Sequence, residues 1–572
     1  MTAGCQRDYA RAWFYLCMGE QPDAVTVADQ TELVIALVAA VGTDVGMVGD
    51  QVATQLDEYD YTTQMLRLSD YLAEQAEATF RGKPFDEELW EAMTSGNELR
   101  HAWERNDALA LHAISDIVAT REDASQAGSG EPAGAGLPPN LERHAFILRS
   151  LKTPEELETL RAVYGPRLFV IAAYSPKHMR VKHLAERIED SRKSANRETW
   201  VHQPEELIDR DEREEEVGGQ DVSGTFHRAD FFIRGWDREV VGADVQRMLE
   251  MLFGSPFRTP TRDEHGQFLA AGAALRSAEF GRQVGAAIAT SDGSVIALGA
   301  NEVPMAGGGS HWEEDGKGNR DFEVGDIDTN RRHFDDLAQR LTDGVDARLA
   351  ELVEELGEQT IDVRRMLATL RARMLESLPE SLRSAGLKDL TEFGRAVHAE
   401  MSALLDATRR GVSVAGATIY TTTFPCHNCA RHIIGAGIAR VVFVEPYIKS
   451  RAEDLHEDSV TIGESGTEDD RVAFEPFVGV APRRYLEMFD AAARERLGHL
   501  GRADATGHKL PFAKNGAQPV FVDAGLPQFR PELREYRAKE LLALDYFNEH
   551  ADEQASVRDV RETPSEDAIE DG

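Results

Sequence analysis

Two short clusters of metal-binding side chains constrain this chain more than any other part of its sequence. Residues 398–400 read HAE, residues 425–429 read PCHNC, and about one helix and one strand fit between them. A catalytic zinc ion takes three protein ligands and keeps one position open for water. One imidazole and two thiolates, from His398, Cys426 and Cys429, meet that count and predict a zinc centre.

The same spacing resembles a known signature. H-x-E followed by P-C-x-x-C is the pattern of the zinc-dependent nucleobase deaminases. Deamination of cytosine needs a proton carrier, because ring nitrogen N3 and then the leaving amine gain protons, and Glu400 suits that role. A lone C-x-x-C would also fit a closed structural zinc site or a redox pair, but the upstream HAE and Pro425 favour the catalytic interpretation. His427 and His432 are not predicted to be ligands.

The charge of the chain narrows the class of substrate. The 572 residues carry a formal net charge of −38. Proteins that bind duplex or single-stranded nucleic acid need a basic surface. The acidity therefore favours a small substrate over a polynucleotide, although a local basic pocket is compatible with an acidic protein.

Cysteine usage and hydropathy indicate the compartment. The four cysteines are Cys5, Cys17, Cys426 and Cys429, and since two are assigned to zinc, no disulfide framework is expected. No apolar run reaches 18 residues, so no membrane span is expected. The N-terminus lacks the features of a signal peptide, and we predict a cytoplasmic protein.

The N-terminal part has the layout of a phosphate-binding loop without its working side chains. An apolar run at 31–38 predicts a buried strand, and the small-residue loop 39–46, with Gly42, Thr43 and Gly46, leads into a helix. This order resembles a P-loop. However, the loop has no G-K-[ST], and a lysine is the main side-chain partner of the β- and γ-phosphates. Two interpretations remain open: a structural or regulatory module, or a nucleotide binder that uses loop amides alone.

Further strands predict a mostly parallel α/β domain over residues 31–245, similar to the nucleoside-monophosphate-kinase type of P-loop fold. Where that type places an aspartate, at the end of the third strand, this chain has Arg149 and Ser150. The predicted strands lie at 61–70, 144–151, 167–174 and 229–233, and the Gly- and Pro-rich stretch 122–139 predicts a flexible loop.

The second half predicts a separate domain over residues 260–465. It contains a helix at 267–283, a β-hairpin that turns at Asp292-Gly293, a loop at 310–330, a helical insert at 331–385 and strands at 416–422 and 440–446. We expect an N-terminal extension at 1–30, an acidic loop after 460, a C-terminal extension at 466–545 and an acidic disordered tail at 550–572.

The motifs taken in order resemble one family. HAE, PCHNC, VGAAIATSDG (284–293) and GANEVP (299–304) are similar to the deoxycytidylate deaminase branch of the cytidine deaminase superfamily. With the N-terminal domain and FVGVAPRRY (477–485), the layout resembles the bacterial anti-phage dCTP deaminases. The resemblance implies an α/β/α deaminase fold around a five-stranded sheet and a product of dUTP or dUMP. It also implies depletion of dCTP in antiviral defence and a regulatory or sensing role for the kinase-like domain.

The resemblance also suggests substrate contacts. Asn301 falls where the family places an asparagine that contacts the sugar, although it would equally cap the hairpin. Gly307, Gly308 and Gly309 would cradle phosphates through backbone amides or form a flexible lid. Arg282 would be a phosphate partner or an ordinary surface arginine, and Trp312 would stack on a base or anchor its loop.

Three functions follow from these observations. The first is deamination of dCTP, dCMP or both by a homo-oligomer assembled through the insert, with a small-molecule nucleotide as substrate, an RNA or protein inhibitor as a further partner, and no membrane partner. The second is a polynucleotide or tRNA deaminase, which the charge opposes. The third is a regulatory nucleotide-sensing protein, which the intact Glu400 opposes.

Overall fold

The computed structural model describes residues 31–75, 82–129, 138–193, 200–213, 219–316, 318–324, 328–355, 366, 368–375, 378, 394–445, 450–463, 470–491, 502–503, 506–519 and 539–548. The chain divides into two compact units. Residues 1–265, 444–449 and 476–572 belong to the first, and residues 266–443 and 450–475 belong to the second. The predicted extension 1–30 and the predicted tail 550–572 lie outside the described residues.

Twelve strands are found in the described chain. They are β1 (Leu33–Ala39), β2 (Thr62–Arg67), β3 (His144–Arg149), β4 (Leu168–Tyr174), β5 (Phe231–Arg234), β6 (Gly285–Ala289), β7 (Val295–Ala300), β8 (Thr418–Thr421), β9 (Arg440–Phe443), β10 (Val460–Ile462), β11 (Val472–Pro476) and β12 (Gly479–Val480).

The α-helices connect and cover these strands. They are α1 (Val45–Asp57), α2 (Ser69–Gln75), α3 (Phe85–Ala102), α4 (Ala108–Ser129), α5 (Pro154–Tyr164), α6 (Lys177–Lys193), α7 (Pro204–Arg213), α8 (Val222–Phe226), α9 (Arg238–Leu252), α10 (Arg262–Ala274), α11 (Asp321–Val324), α12 (Thr329–Glu355), α13 (Ala399–Arg410), α14 (His427–Gly435), α15 (Ala452–Leu455) and α16 (Tyr485–Phe489). Short 3₁₀ turns lie at Gly165–Arg167, Glu313–Asp315 and Pro482–Arg484, and residues 368–375 and 539–548 are also helical.

The first unit is built on a six-stranded sheet with the order β12-β5-β4-β1-β3-β2. Strands β2, β3, β1, β4 and β5 run parallel, and β12 pairs antiparallel with β5. All seven residues of β1 and all seven of β4 are buried, as expected for parallel strands covered on both faces. The predicted parallel α/β sheet is therefore present.

A tight loop connects β1 to α1 at the carboxyl edge of this sheet. Gly42 has φ of +88°, a region that favours glycine. Asp44 caps α1 by accepting a hydrogen bond from the Met47 amide at 2.9 Å. Val48, Val52 and Leu56 then place the apolar stripe of α1 in the core.

Two predictions for the first unit are wrong. Residues 122–129, predicted to begin a flexible loop, continue α4. Glu, Ala and Gln support a helix, and Arg121, which is fully buried, fixes α4 immediately before them. The predicted C-terminal extension contributes β12, so ADFFI is not the last strand of the sheet. No alternating pattern announces a strand of two residues.

The second unit is built on a six-stranded sheet with the order β10-β11-β9-β8-β6-β7. The predicted hairpin pairs β6 with β7, and its turn contains Gly293 with φ of +93°. Strand β6 pairs antiparallel with β8, whereas β8 and β9 run parallel, as do β10 and β11.

Several boundaries in the second unit differ from the predictions. Residues 460–462 form a strand where we expected an acidic loop, and residues 472–476 of the predicted C-terminal extension form another, so the sheet has six strands instead of five. Helix α10 ends at Ala274, well before 283. The predicted insert begins as α12 at Thr329, and residues 356–365 and 379–393 lie outside the described residues. Across the described helices, none is both long and apolar enough to cross a membrane.

Candidate metal centre

Helix α13 brings the first motif into a buried position. His398 is its N-cap residue, with extended backbone angles (φ −61°, ψ 151°), and Glu400 lies in the first turn. Helix α13 packs closely on β7, since a Cβ atom added to Gly299 would lie 2.1 Å from the Ala399 carbonyl oxygen. This close approach requires glycine and leaves the Glu400 side chain only 3% exposed.

Helix α14 presents the second motif. Cys426 is the N-cap residue of α14, and Cys429 lies one turn into it. The segment 422–425 leads to this cap directly from β8, a buried strand. Each motif therefore lies at the N-terminus of its own helix, where positive partial charge favours thiolates and carboxylates.

The side chains of both motifs converge. His398 Nδ1 lies 3.3 Å from Cys426 Sγ and 3.5 Å from Cys429 Sγ, and the three ligand atoms lie within 4.8 Å of one another. Zinc bonds of about 2.0–2.3 Å in a tetrahedral arrangement separate neighbouring ligand atoms by roughly 3.5 Å. The spacing of this donor set therefore fits zinc.

Glu400 lies beside these ligands. Its Oε2 accepts a hydrogen bond from Cys429 Sγ at 3.5 Å. Burial raises the pKa of Glu400, and the hydrogen bond to Cys426 raises the pKa of His398 to about 8. The contact between the two sulfur atoms lowers the pKa of Cys426 and raises that of Cys429. A cation held between the three ligand atoms would favour the thiolate form of both cysteines.

The predicted substrate residues Asn301 and Arg282 lie together. Asn301 Oδ1 accepts from the Val284 amide at 2.7 Å, and its Nδ2 donates to the Arg282 carbonyl at 2.9 Å. The Arg282 guanidinium donates to Thr423 Oγ1 at 2.8 Å. Asn301 thus caps the end of the hairpin, and its sugar contact stays a prediction.

The predicted glycine cradle lines a different cavity. Gly307, Gly308 and Gly309 have φ between +88° and +100° and border a cavity of about 1240 Å³, whose lining includes none of the residues His398, Glu400, Cys426 and Cys429. In the same lining, the Arg276 guanidinium lies over the face of Trp312, 3.7 Å from the ring centroid. The structure therefore does not bring this loop and the metal ligands into one described cavity.

Sequence reasoning missed an acidic cluster in the same unit. Carboxylate oxygens of Glu279, Asp321 and Asp328 lie within 4.8 Å of one another, and Glu279 is close enough to raise the pKa of His398. Thr329 Oγ1 donates to Asp321 at 2.5 Å. Glu279 stands far from Asp321 and Asp328 in the chain, and no sequence motif includes all three.

Residues 261–445 match the family described as cytidine and deoxycytidylate deaminase zinc-binding region. Deoxycytidylate deaminase of Enterobacteria phage T2 is 46% identical over 55 residues, which are 10% of this chain and 29% of that protein. ComE operon protein 2 of Bacillus subtilis (strain 168) is 47% identical over 53 residues, 9% of this chain and 28% of that protein. The chain thus spans under a third of the length of these curated relatives.

A crystal structure of dCMP deaminase from the cyanophage S-TIM5 in complex with dCMP and dUMP is also similar. It aligns with 38% of this chain and 98% of that chain, at 16% identity and a TM-score of 0.20. The family match includes both motifs, and His398, Cys426 and Cys429 form the cluster able to hold the ion. The cofactor of this centre is zinc.

Proposed function

We propose that this chain is a zinc-dependent hydrolase that deaminates deoxycytidine nucleotides, converting dCMP, dCTP or both to the deoxyuridine nucleotide and ammonia. The observation that carries the proposal is the convergence of His398, Cys426 and Cys429 with a buried carboxylate, Glu400, 3.5 Å from Cys429. The printed names of the relatives, deoxycytidylate deaminases, support the choice of a deoxycytidine nucleotide.

Zinc, when held by His398, Cys426 and Cys429, would supply Lewis acidity that lowers the pKa of a coordinated water molecule. Glu400 would take the proton that water loses and deliver it to N3 of the cytosine ring. Addition of water oxygen at C4 and loss of the C4–N4 bond then release ammonia, and Glu400 carries the second proton to the leaving amine. Burial raises the pKa of Glu400, so its carboxylate is a stronger base toward the proton that water loses.

The charge of the chain supports a nucleotide over a polynucleotide. The net charge of −38 opposes approach to a phosphate backbone. A free nucleotide is repelled less, because it carries only a few phosphate charges. Arg282 is a phosphate contact in this proposal, and Asn301 a sugar contact.

The broader setting is also proposed. A P-loop-like first unit is supported by the parallel strand order β2-β3-β1-β4-β5 and by the loop between β1 and α1. The layout of this unit before GANEVPMAGGGSHW and PCHNC supports depletion of dCTP in the cytoplasm during phage infection, controlled by an RNA or protein inhibitor. Light scattering would establish the predicted homo-oligomer.

The test is ammonia release by purified, zinc-loaded protein with dCTP, dCMP, CTP, deoxycytidine and single-stranded DNA. We expect turnover of dCTP or dCMP, and a loss of at least about a hundredfold in Glu400→Gln, since general acid–base catalysis contributes at least that much. Glu453→Gln, on α15, is the matched control and should retain activity. Turnover of DNA alone, or full activity of Glu400→Gln, would overturn the proposal.

A further inference from the structure

The first unit contains a basic cavity of about 170 Å³ at the carboxyl edge of its parallel sheet. Its lining combines the loop 39–46, the ends of β2 and β3, and one side of α6. Crevices outside the carboxyl ends of parallel strands are the usual ligand sites of open α/β sheets. The loop 39–46 is the segment whose order resembles a P-loop, although it lacks the lysine of that motif.

Apolar residues, many of them on α3, form much of the wall, and the charged side chains that border the cavity are mostly cationic. Arg67, Arg149 and Arg187 border the cavity, whereas its one lining carboxylate among the described residues is that of Asp44, which is engaged with the Met47 amide. Two other lining cations have acidic partners: Lys152 donates to Asp211 and Arg100 lies near Glu156. The chain as a whole carries a charge of −38, so a basic cavity is the exception.

Arg149 is the centre of this cluster. It ends β3, and its Nε is buried without a hydrogen-bond partner among the residues that the structure describes. Burial and the charges of Arg67 and Arg187 lower its pKa, although Asp44 and Asp50 oppose that shift. Arg67 reaches one acid, Glu88, at 3.9 Å with 46% of its side chain exposed. Asp44, Asp50 and Glu88 therefore offset these positive charges only in part.

Arg187 lies at the side of the cluster. Its guanidinium sits over the Phe85 ring, 4.1 Å from the centroid. This contact holds the cation in place without neutralising it. The three guanidinium groups thus face a shared space from three different elements, β2, β3 and α6.

The loop adds uncharged donors. Thr43 is 8% exposed, lines the cavity, and has a hydroxyl without a hydrogen-bond partner in the described part of the chain. Gly46 stands in the first turn of α1, where backbone amides have no acceptor within the helix. A Cβ atom at Gly46 would lie 3.3 Å from Arg149 Nη2, so the loop amides and the guanidinium border the same space.

The loop is held in this shape by its surroundings. The Val41 amide donates to Asp211 at 3.0 Å, and Lys152 donates to the same carboxylate at 2.9 Å. Arg180 donates to the Val41 carbonyl at 3.3 Å. Because the cavity walls are fixed in advance, a ligand would not need to order them.

We propose that this cavity binds the di- or triphosphate group of a small molecule, through the guanidinium groups of Arg67, Arg149 and Arg187, the Thr43 hydroxyl and the Gly46 amide, without a divalent cation. We call it the polyphosphate cavity. A guanidinium group can bind phosphate oxygens through two hydrogen bonds, so several arginines suit a chain of several phosphates. The volume admits a phosphate chain, while whole small-molecule ligands usually need about 300 Å³ or more, so any nucleoside would extend beyond it.

The absence of a metal requirement follows from position. A magnesium ion at this kind of edge needs carboxylate ligands, but the end of β3 carries Arg149, and the one carboxylate among the described lining residues, that of Asp44, already accepts a hydrogen bond from the Met47 amide. The arginine occupies the place of the carboxylate and supplies the positive charge itself. The site therefore differs from a nucleotide binder that uses loop amides alone.

The test is equilibrium dialysis of the full-length, zinc-loaded protein against radiolabelled pyrophosphate in magnesium-free buffer. We expect saturable binding that weakens at least about tenfold in Arg149→Gln, because a charge-assisted bidentate contact is lost. Thr43→Val should weaken it less, and Arg149→Lys should restore part of the affinity. Arg228→Gln, a surface change in the same unit, is the matched control, and circular dichroism establishes that each variant is folded.

Two results would overturn the proposal: equal pyrophosphate affinity in Arg149→Gln and Arg228→Gln, or binding that requires added magnesium. Competition by nucleoside triphosphates distinguishes a nucleotide from free polyphosphate as the source of the group. Ammonia release by Arg149→Gln with dCMP and dCTP should equal that of the unmodified protein. Failure of the deaminase proposal is therefore distinguishable from failure of this one.

Discussion

The zinc centre and the polyphosphate cavity gather side chains of opposite charge. Around His398, two thiols and the buried carboxylate of Glu400 gather where a cation would neutralise them. Around Arg149, guanidinium groups gather with few acids nearby. Both sites lie at the N-terminus of a helix. The side chains, and not the backbone, therefore decide whether the ligand is a cation or an anion. One site is arranged for a metal ion and the other for an anion.

Removal of zinc is expected to have the largest effect and to separate the two sites. Cys429→Ala should lose bound zinc and reduce ammonia release at least about a thousandfold, because the Lewis acid that activates water contributes several kcal/mol. Pyrophosphate affinity should stay unchanged. Metal analysis, ammonia release and dialysis on one preparation measure all three.

Cys429→Ser is a more conservative variant, since it keeps the size of the side chain but weakens the metal ligand. If pyrophosphate binding disappeared together with zinc in both variants, the two sites would not be independent and the comparison would fail.

The difference between the sites also explains what the sequence could predict. His398, Glu400, Cys426 and Cys429 stand in two short motifs, and the structure brings all four together. Arg67, Arg149 and Arg187 lie on separate elements, so their convergence depends on the strand order of the sheet, which local patterns do not specify.

The fold shows the same division. The apolar runs of β1 and β4 and the Asp292-Gly293 hairpin are local signals, and those predictions are confirmed. Strands β10 and β12 have two or three residues each, too few to show a period of two, and tertiary pairing alone makes them strands. The sequence shows that Arg149 stands where related folds place an aspartate. Its role in binding an anion depends on neighbours that only the fold brings close.

A pair of arginines tests the balance of charge within the first unit. Arg121 is fully buried and donates to Glu32 at 2.6 Å and Glu540 at 2.9 Å. Arg121→Leu should lower the free energy of unfolding by about 3–5 kcal/mol, because it leaves two buried carboxylates unpaired. Arg149→Leu should change it by less than about 1 kcal/mol, because the lost charge had few partners.

Urea unfolding of both variants, followed by circular dichroism, measures the difference. Equal and large losses would mean that Arg149 is a structural cation, compensated like Arg121, and would remove the charge argument for the polyphosphate cavity.

Two glycines allow each site to be disturbed through its backbone. A Cβ atom at Gly299 would lie 2.1 Å from the Ala399 carbonyl oxygen, and one at Gly42 would lie 2.8 Å from Arg180. Gly299→Ala should displace α13 and reduce ammonia release roughly a hundredfold, the usual effect of misplacing a catalytic group by about 1 Å. Gly42→Ala should weaken pyrophosphate binding and spare ammonia release.

Gly272→Ala, on α10, is the control, since nothing lies within 4 Å of a Cβ atom there. That change should leave both functions intact and stabilise the helix by up to about 1 kcal/mol. Loss of ammonia release in Gly42→Ala would contradict the separation of the two sites.

A pH effect on stability is expected to be the smallest change. Burial lowers the pKa of His112 to about 4, below the ordinary value of about 6.5. Asp116 lies 3.2 Å from His112 Nε2, but its side chain is 42% exposed while that of His112 is 12% exposed, so water screens the carboxylate and burial prevails. Below pH 6.5 the unfolded chain binds the proton more readily, and stability should fall as the pH decreases from 6.5 towards 4.

The loss attributable to His112 should reach about 2 kcal/mol near pH 5, on top of other titrations. His112→Gln should make the decrease in urea midpoint between pH 7 and pH 5 shallower, whereas His178→Gln, an exposed change on α6, should leave it unaltered. A steeper decrease in His112→Gln would mean that His112 is protonated in the folded state through Asp116. Buried cations of the first unit would then be paired with acids more often than the surroundings of Arg149 indicate.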